Sequence, residues 1–316
     1  MKKYVLIAIL GILMVITAAC GASTDSGEDE TTGSSDEQET LTVTHELGET
    51  DVPKNPEKVV VFDFGILDTL DKLDIDVTGV PKDAIPDYLD KYESDNYANA
   101  GSLKEPDFDK IAQIDPDLII ISARQASLYD QLADIAPTVH LGVETTRYME
   151  SFKENMQTVG NIFAKEDEID QELQRIDQSI DDLNEKASSI DTNALIILAN
   201  DDKISAYGPS SRFGLIHDVF GVPAVDEGIE ASTHGMNVTF EYVVEQDPEM
   251  LYVIDRGAVV GSESSAQQVV ENELVEKTKA YQNDNIEYLN PDYWYLSGGG
   301  LASVQEMVSE ISKSLD

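Results

Sequence analysis

The chain is expected to fold as two Rossmann-like α/β lobes with mainly parallel sheets, joined by one long rigid helix, with a ligand cleft between them. Three observations predict this. Short apolar β-runs alternate with amphipathic helical stretches through the body of the chain; a segment of twenty residues recurs without gaps 132 positions downstream; and an unbroken helical pattern lies between the two copies. At 316 residues the chain also exceeds what one hydrophobic core usually serves.

The N-terminus is a separate object. Lys2 and Lys3 precede an uncharged apolar run from Val5 to Ile16, followed by the small residues Thr17, Ala18 and Ala19 and by Cys20, the single cysteine. This order describes a signal peptide over residues 1–19, and the run is too short to span a bilayer comfortably. The stretch T-A-A-C resembles a bacterial lipobox, with Thr17 where leucine is usual. That resemblance implies lipidation of Cys20, which would become the mature N-terminus. Residues 20–40 form an acidic flexible linker: positions 21–40 hold seven acids, no base and almost no apolar group, so they bury too little surface to order themselves. The expected arrangement is a soluble body hung from a membrane on a leash.

Removing residues 1–19 takes two lysines and no acid, leaving 19 basic against 62 acidic residues, a formal charge of −43. No basic stripe remains to displace phosphate counterions, which excludes nonspecific nucleic-acid binding.

The N-terminal lobe is placed at 41–165. Its strand candidates are KVVVFDF (58–64), VTGVP, DLIIISA (117–123) and TVHLG, with helical patterns ILDTLDKL and SLYDQLADIAP between them. The connecting helix is placed at 166–188, where Ile169, Leu173, Ile176, Ile180 and Leu183 recur at helical spacing as one stripe on a polar background, with no Gly or Pro. The C-terminal lobe, 189–316, repeats the scheme with ALIILAND (194–201), SRFGLIHDVFG, PAVDE, MLYVID and IEYLN.

The repeat places EPDFDKIAQIDPDLIIISAR (105–124) over NVTFEYVVEQDPEMLYVIDR (237–256). Phe108 matches Phe240, Asp109 matches Glu241, Asp115-Pro116-Asp117 matches Asp247-Pro248-Glu249, and Arg124 matches Arg256. Each copy reads as a short helix, a turn forced by proline, and a strand. Arginine is scarce, with five in the chain, and two of the five occupy equivalent strand exits. Ligands of open parallel sheets bind just outside the carboxyl ends of the strands, so Arg124 and Arg256 are expected to converge on the cleft. The alternative for either is to cap a carbonyl or pair with an acid such as Asp255.

Further candidates are Arg212 in the loop GPSSRFG, His234 in THGM, and Tyr293, Trp294 and Tyr295 in PDYWYLSGGG. Arginines with aromatics in an otherwise anionic chain point to an anionic, planar or aromatic ligand, because guanidinium pairs with carboxylate or phenolate and stacks on rings. An enzyme is disfavoured. The triple glycine at 298–300 lacks the lysine and hydroxyl of a phosphate loop, and no G-x-S-x-G or H-E-x-x-H occurs. A site for a bare divalent metal is disfavoured because His45, His140, His217 and His234 are scattered.

In its lipobox-like stretch, leash, two expected lobes and single connecting helix, the chain resembles the substrate-binding lipoproteins of ABC importers for siderophores and related iron chelates. SARQ, SSRFG, THG, IDRG and YWYLSGGG further resemble the subgroup that binds ferric catecholates of the petrobactin type. The resemblance implies that Arg124, Arg212 and Arg256 surround a ferric tris-catecholate. It implies that His234 and Tyr295 ligate iron when a tetradentate chelator leaves two sites open, and that no cofactor is intrinsic, the iron arriving within the ligand. It implies docking to two permease subunits through one acid per lobe, for which the repeat nominates Asp109 and Glu241, with Glu105 a rival in the first lobe. The expected protein is a lipid-anchored monomer on the outer face of the cytoplasmic membrane. Haem, cobalamin, hydroxamate and citrate chelates remain alternatives, the near-neutral hydroxamates fitting three arginines least well.

Overall fold

A computed structural model describes residues 39–261 and 264–316. The signal peptide, Cys20 and nearly all of the acidic linker lie outside the described residues. None of the described helices is long and apolar enough to cross a membrane.

The described chain opens with an antiparallel hairpin, β1 (Thr40–His45) and β2 (Gly48–Pro53). Its polar alternation buries Val43 and Val52 on one face, and Thr50 Oγ1 donates 2.8 Å to the Thr138 carbonyl to seat it on the first sheet. That sheet is built from β3 (Val59–Val61), β4 (Gly79–Val80), β5 (Ala98–Asn99), β6 (Leu118–Ile121) and β7 (Thr138–His140), in the order β5-β4-β3-β6-β7, parallel throughout. Helices α1 (Phe64–Lys72), α2 (Phe108–Ile114) and α3 (Tyr129–Ala133) belong to its crossovers. The central strands β3 and β6 are continuous, fully buried apolar runs because both of their faces are covered.

Two helices follow, α4 (Tyr148–Phe163) and α5 (Glu166–Ser188). All five stripe residues of α5 are buried, and the helix packs on α4. Glu166, Asp167 and Glu168 in its first turn favour the positive end of its dipole.

The second sheet contains β8 (Ala194–Asn200), β9 (Lys203–Tyr207), β10 (Met236–Val238), β11 (Met250–Asp255) and β12 (Ile286–Leu289), in the order β10-β9-β8-β11-β12. Helices α6 (Leu215–Asp218), α7 (Phe240–Gln246), α8 (Arg256–Val260), α9 (Ala266–Val270) and α10 (Lys279–Gln282) punctuate it. Strands β8, β11 and β12 are parallel, but β9 and β10 run antiparallel. The expected strand at PAVDE is a single bridge, Ala194 to Ala224. The strand at 203–207 arises instead because Asp201, at φ +54°, lets the chain fold straight back from β8. A π-helical turn over Asp292–Leu296 then leads into α11 (Leu301–Ser314), which packs against α5 and also against α1.

The repeat survives in the backbone. Helices α2 and α7 are both seven residues long, 132 positions apart, and each ends on an aspartate in the left-handed conformation, Asp115 at φ 55° and Asp247 at φ 45°. Strands β6 and β11, which follow, hold matching places between parallel neighbours.

One apolar core serves both sheets. It runs from Val43 through Leu67 and Leu70 of α1, Phe152 and Met156 of α4 and the α5 stripe to Ile196, Ile254 and Ile311. Interiors of this kind are close-packed and deform little.

Candidate ligand-binding site

The three singled-out arginines meet around one residue. Arg124 Nη2 donates 2.9 Å to the carbonyl of Tyr295, and Arg212 Nη2 donates 2.8 Å to the same oxygen. Arg256 Nε donates 2.8 Å to the Tyr295 hydroxyl, while its Nη1 donates to Asn200 Oδ1. The Arg212 guanidinium lies 4.4 Å from the Tyr295 ring centre and that of Arg256 lies 5.7 Å from it.

Each arginine reaches this corner by a different local device. Arg124 follows β6 in a turn held by the buried Gln125, whose Oε1 accepts from the Ser122 amide at 3.2 Å and whose Nε2 donates to the Leu103 carbonyl. Arg212 sits in a loop closed by Ser211 Oγ donating to the Gly208 carbonyl and by Asp218 Oδ2 accepting from the Ser210 amide at 2.6 Å. Arg256 is the first residue of α8. Asp255, the acid that was its alternative partner, is occupied instead: it accepts from the amides of Ala258 at 3.0 Å and Ala266 at 2.7 Å.

The charge arrangement is unusual for so acidic a chain. Arg147 and Arg175 are held by glutamates at the surface. Among the described residues no carboxylate stands within ion-pair distance of Arg124, Arg212 or Arg256. Burial lowers the pKa of Arg212, and the nearby Arg124 charge lowers it further. Burial alone would raise the Tyr295 phenol, yet the hydrogen bond from Arg256 and the charges of Arg212, Arg256 and Arg124 together bring it below its ordinary value. The corner is therefore a half-buried cationic site whose phenol ionises more readily than usual.

Other expected residues fall elsewhere. Trp294 does not join the corner: it is buried, meets Phe220 edge-on and donates 2.7 Å from Nε1 to Glu310. The reason is local, since consecutive residues of a tight turn point in different directions. Tyr293 packs on Tyr88, with ring centres 4.8 Å apart. His234 is exposed, on a loop joined to the arginine loop by the Arg212 amide donating to the Ser232 carbonyl at 3.4 Å. Asp109 and Glu241 are exposed in the first turns of α2 and α7. Two of the histidines expected to be scattered, His45 and His140, line one polar cavity of about 110 Å³, beside Glu46 and Glu144. Among the described residues no group of three or more His, Cys, Asp or Glu has metal-holding geometry.

Residues not anticipated complete the surroundings. Asn200 ends β8 and anchors Arg256, and a polar residue closing an apolar strand on the cleft side was the available signal. Tyr207 stands behind the corner against Phe213, its phenol pushed up to about 12 by burial although Arg212 pulls it down. Gln125 was legible only as the neighbour of Arg124.

A fold of two sheets with a cationic corner at their strand exits defines a binding protein of the periplasmic type. The chain belongs to the periplasmic binding protein family, whose model matches residues 59–293, and its fold is the class III form. The petrobactin-binding protein YclQ of Bacillus subtilis (strain 168) is 52% identical, with all of both chains covered. The crystal structure of YclQ superposes with a TM-score of 0.86 at 55% identity, covering 88% of this chain and 99% of that one. The periplasmic catecholate-siderophore binding protein VctP of Vibrio cholerae superposes at 0.82 with 35% identity, covering 87% and 100%.

Proposed function

We propose that the protein captures an anionic ferric siderophore, of the petrobactin-like catecholate type, outside the cytoplasmic membrane and hands it to the permease of an ABC importer. The observation that carries this reading is the cluster of Arg124, Arg212 and Arg256 on Tyr295 with, among the described residues, no carboxylate within ion-pair distance. A cationic corner that lacks an internal anion is stabilised by an external one. A ferric tris-catecholate carries about three negative charges, and each charge-assisted hydrogen bond to it contributes roughly 1.5–3 kcal/mol. Three of them supply about half or more of the roughly 8 kcal/mol of micromolar binding. The names of YclQ and VctP support the same ligand class.

The remaining roles follow from the same reading. Arg124, Arg212 and Arg256 grip the chelate, and Tyr293 contributes apolar surface at the margin. Tyr295, with its lowered phenol pKa, and His234 donate to iron when a tetradentate chelator leaves coordination sites open. The lobes 41–165 and 189–316 close little about the helix 166–188, because one continuous core ties them together. Asp109 and Glu241 dock to the permease, and lipid on Cys20 holds a monomer at the membrane. Binding, with no chemical turnover, is the activity.

The test is a titration of the purified chain with ferric petrobactin, ferric citrate and a ferric hydroxamate, followed by fluorescence of Trp294, the single tryptophan. Tightest binding of ferric petrobactin supports the reading. Preference for the hydroxamate sinks it.

A further inference from the structure

The π-helical turn that carries Tyr295 is held from the opposite lobe. Such bonding is rare and survives mostly as single turns, frequently at functional sites, so what fixes this one matters. Within the turn the Ser297 amide donates 3.0 Å to the Asp292 carbonyl, and the Ser297 hydroxyl donates to the same oxygen.

The other restraints come from the first lobe. A 3₁₀ segment, Asp87–Glu93, is rooted there by the buried Leu89 and Tyr92. It meets the turn at three points. The Asp87 amide donates 3.0 Å to Asp292 Oδ2 at the start of the turn. The Tyr88 ring lies 4.8 Å from the ring of Tyr293. The Tyr88 hydroxyl lies 2.7 Å from the Ser297 hydroxyl, whose own hydrogen is already given to the Asp292 carbonyl. Tyr295 stands between these contacts, and its carbonyl is the oxygen on which Arg124, from the first lobe, and Arg212, from the second, both converge.

We propose that Asp292 and Tyr88 are positioning residues through which the first lobe fixes the turn, so that the Tyr295 carbonyl and phenol stand where the three arginines meet before any ligand arrives. The inference rests on the siderophore reading for its ligand and deepens it by naming what presets the site. A site ordered in advance binds more tightly because less ordering is left to the moment of association. By charge alone a carboxylate at this place would disfavour an anionic ligand, so its use to the site is as a fixed acceptor.

The experiment sets purified wild type beside Asp292→Ala, Asp292→Asn and Tyr88→Phe, with ferric petrobactin as the probe. Asp292→Ala is expected to weaken binding about tenfold. Tyr88→Phe keeps the ring on Tyr293, loses the hydroxyl contact and is expected to weaken binding about threefold. Asp292→Asn keeps an oxygen for the Asp87 amide and removes the charge, so its affinity should equal or exceed that of wild type. A second readout needs no ligand: the alkaline titration of Tyr295, taken as the phenolate absorbance that disappears in Tyr295→Phe. Asp292→Ala should move that titration upward, because a slack turn takes the phenol off Arg256, and Asp292→Asn should leave it in place. Wild-type affinity in Asp292→Ala overturns the assignment, and so does an Asp292→Asn variant that binds no better than Asp292→Ala. A lowered melting temperature with the Tyr295 titration unmoved overturns it too, since that is a purely structural role. Should the wild type fail to bind ferric petrobactin, the siderophore reading falls, while the phenol titration still decides the positioning role.

Discussion

Two regions of the molecule place charge in its interior in opposite ways. At the arginine corner three cations gather with no carboxylate in ion-pair reach among the described residues. At the seam between α1 and α11 a carboxylate, Asp68, is buried at 1% exposure with no cation in ion-pair reach among the described residues. Asp68 accepts from the amides of Ala302 at 3.1 Å and Ser303 at 2.9 Å, and the Tyr88 hydroxyl stands 3.1 Å from it and 2.7 Å from the Ser297 hydroxyl, sharing its one hydrogen between them. Its contacts are all internal, so it closes the structure by capping α11 from the other side of the seam. The arginines are half-buried and bonded to a carbonyl, a phenol and an amide, and among the described residues no acid neutralises them. A charge satisfied from within holds a fold together; a charge left unneutralised at an opening is available to a ligand.

Breaking the seam should have the largest effect. Asp68→Ala strips the cap from α11 and leaves Tyr88 without its carboxylate, and we expect a loss of about 3–4 kcal/mol in denaturant unfolding. Gly300→Ala should act through the same contact, since a Cβ there would collide with the Gly65 carbonyl and Asp68 Oδ1.

The seam also carries a pH signature. Burial raises the Asp68 pKa to about 6, against the opposing pull of its hydrogen bonds, from an ordinary value of 3.8. The folded state thus holds a proton that the unfolded state has released, and this contribution to stability is lost as pH rises through about 4 to 7. The stability advantage of wild type over Asp68→Asn should shrink by up to about 3 kcal/mol across that window. An advantage that grows with pH instead would show Asp68 ionised throughout.

At the corner, stability and affinity should part. Arg212→Ala, at the arginine whose charge burial disfavours, is expected to weaken ferric petrobactin binding about 100-fold, and Arg124→Ala, held by one carbonyl, about tenfold. Neither should lower the melting temperature of the ligand-free protein, because each relieves repulsion between like charges. If both variants melt early, the corner is structural and the comparison fails. The smallest effect concerns His234→Ala: affinity for six-donor ferric chelates should be unchanged, with loss confined to four-donor chelates, read by the same titration.

Much of this was legible in the sequence because it rests on short-range rules. Apolar runs, the α5 stripe and the two Asp-Pro turns are local patterns with local causes, and the scarcity of arginine made its repeated placement visible. Trp294 shows where that reasoning stops. Its neighbour Tyr295 centres the site while its own ring fills the core, and only the π-helical geometry of residues 292–296 separates them. Asp68 looked like an ordinary polar position on an amphipathic helix, since nothing nearby in sequence announces that α11 will end on it from more than 230 residues away.

By itself the sequence determined the two α/β halves, the helix between them, and which rare residues stand at strand exits, because periodicity and turn chemistry act over a few residues. The tertiary structure decided that the arginines converge on a carbonyl and a phenol from a single turn, and that Asp68 locks the seam. Those relations join atoms far apart along the chain, and only the packing of one shared core brings them within hydrogen-bond reach.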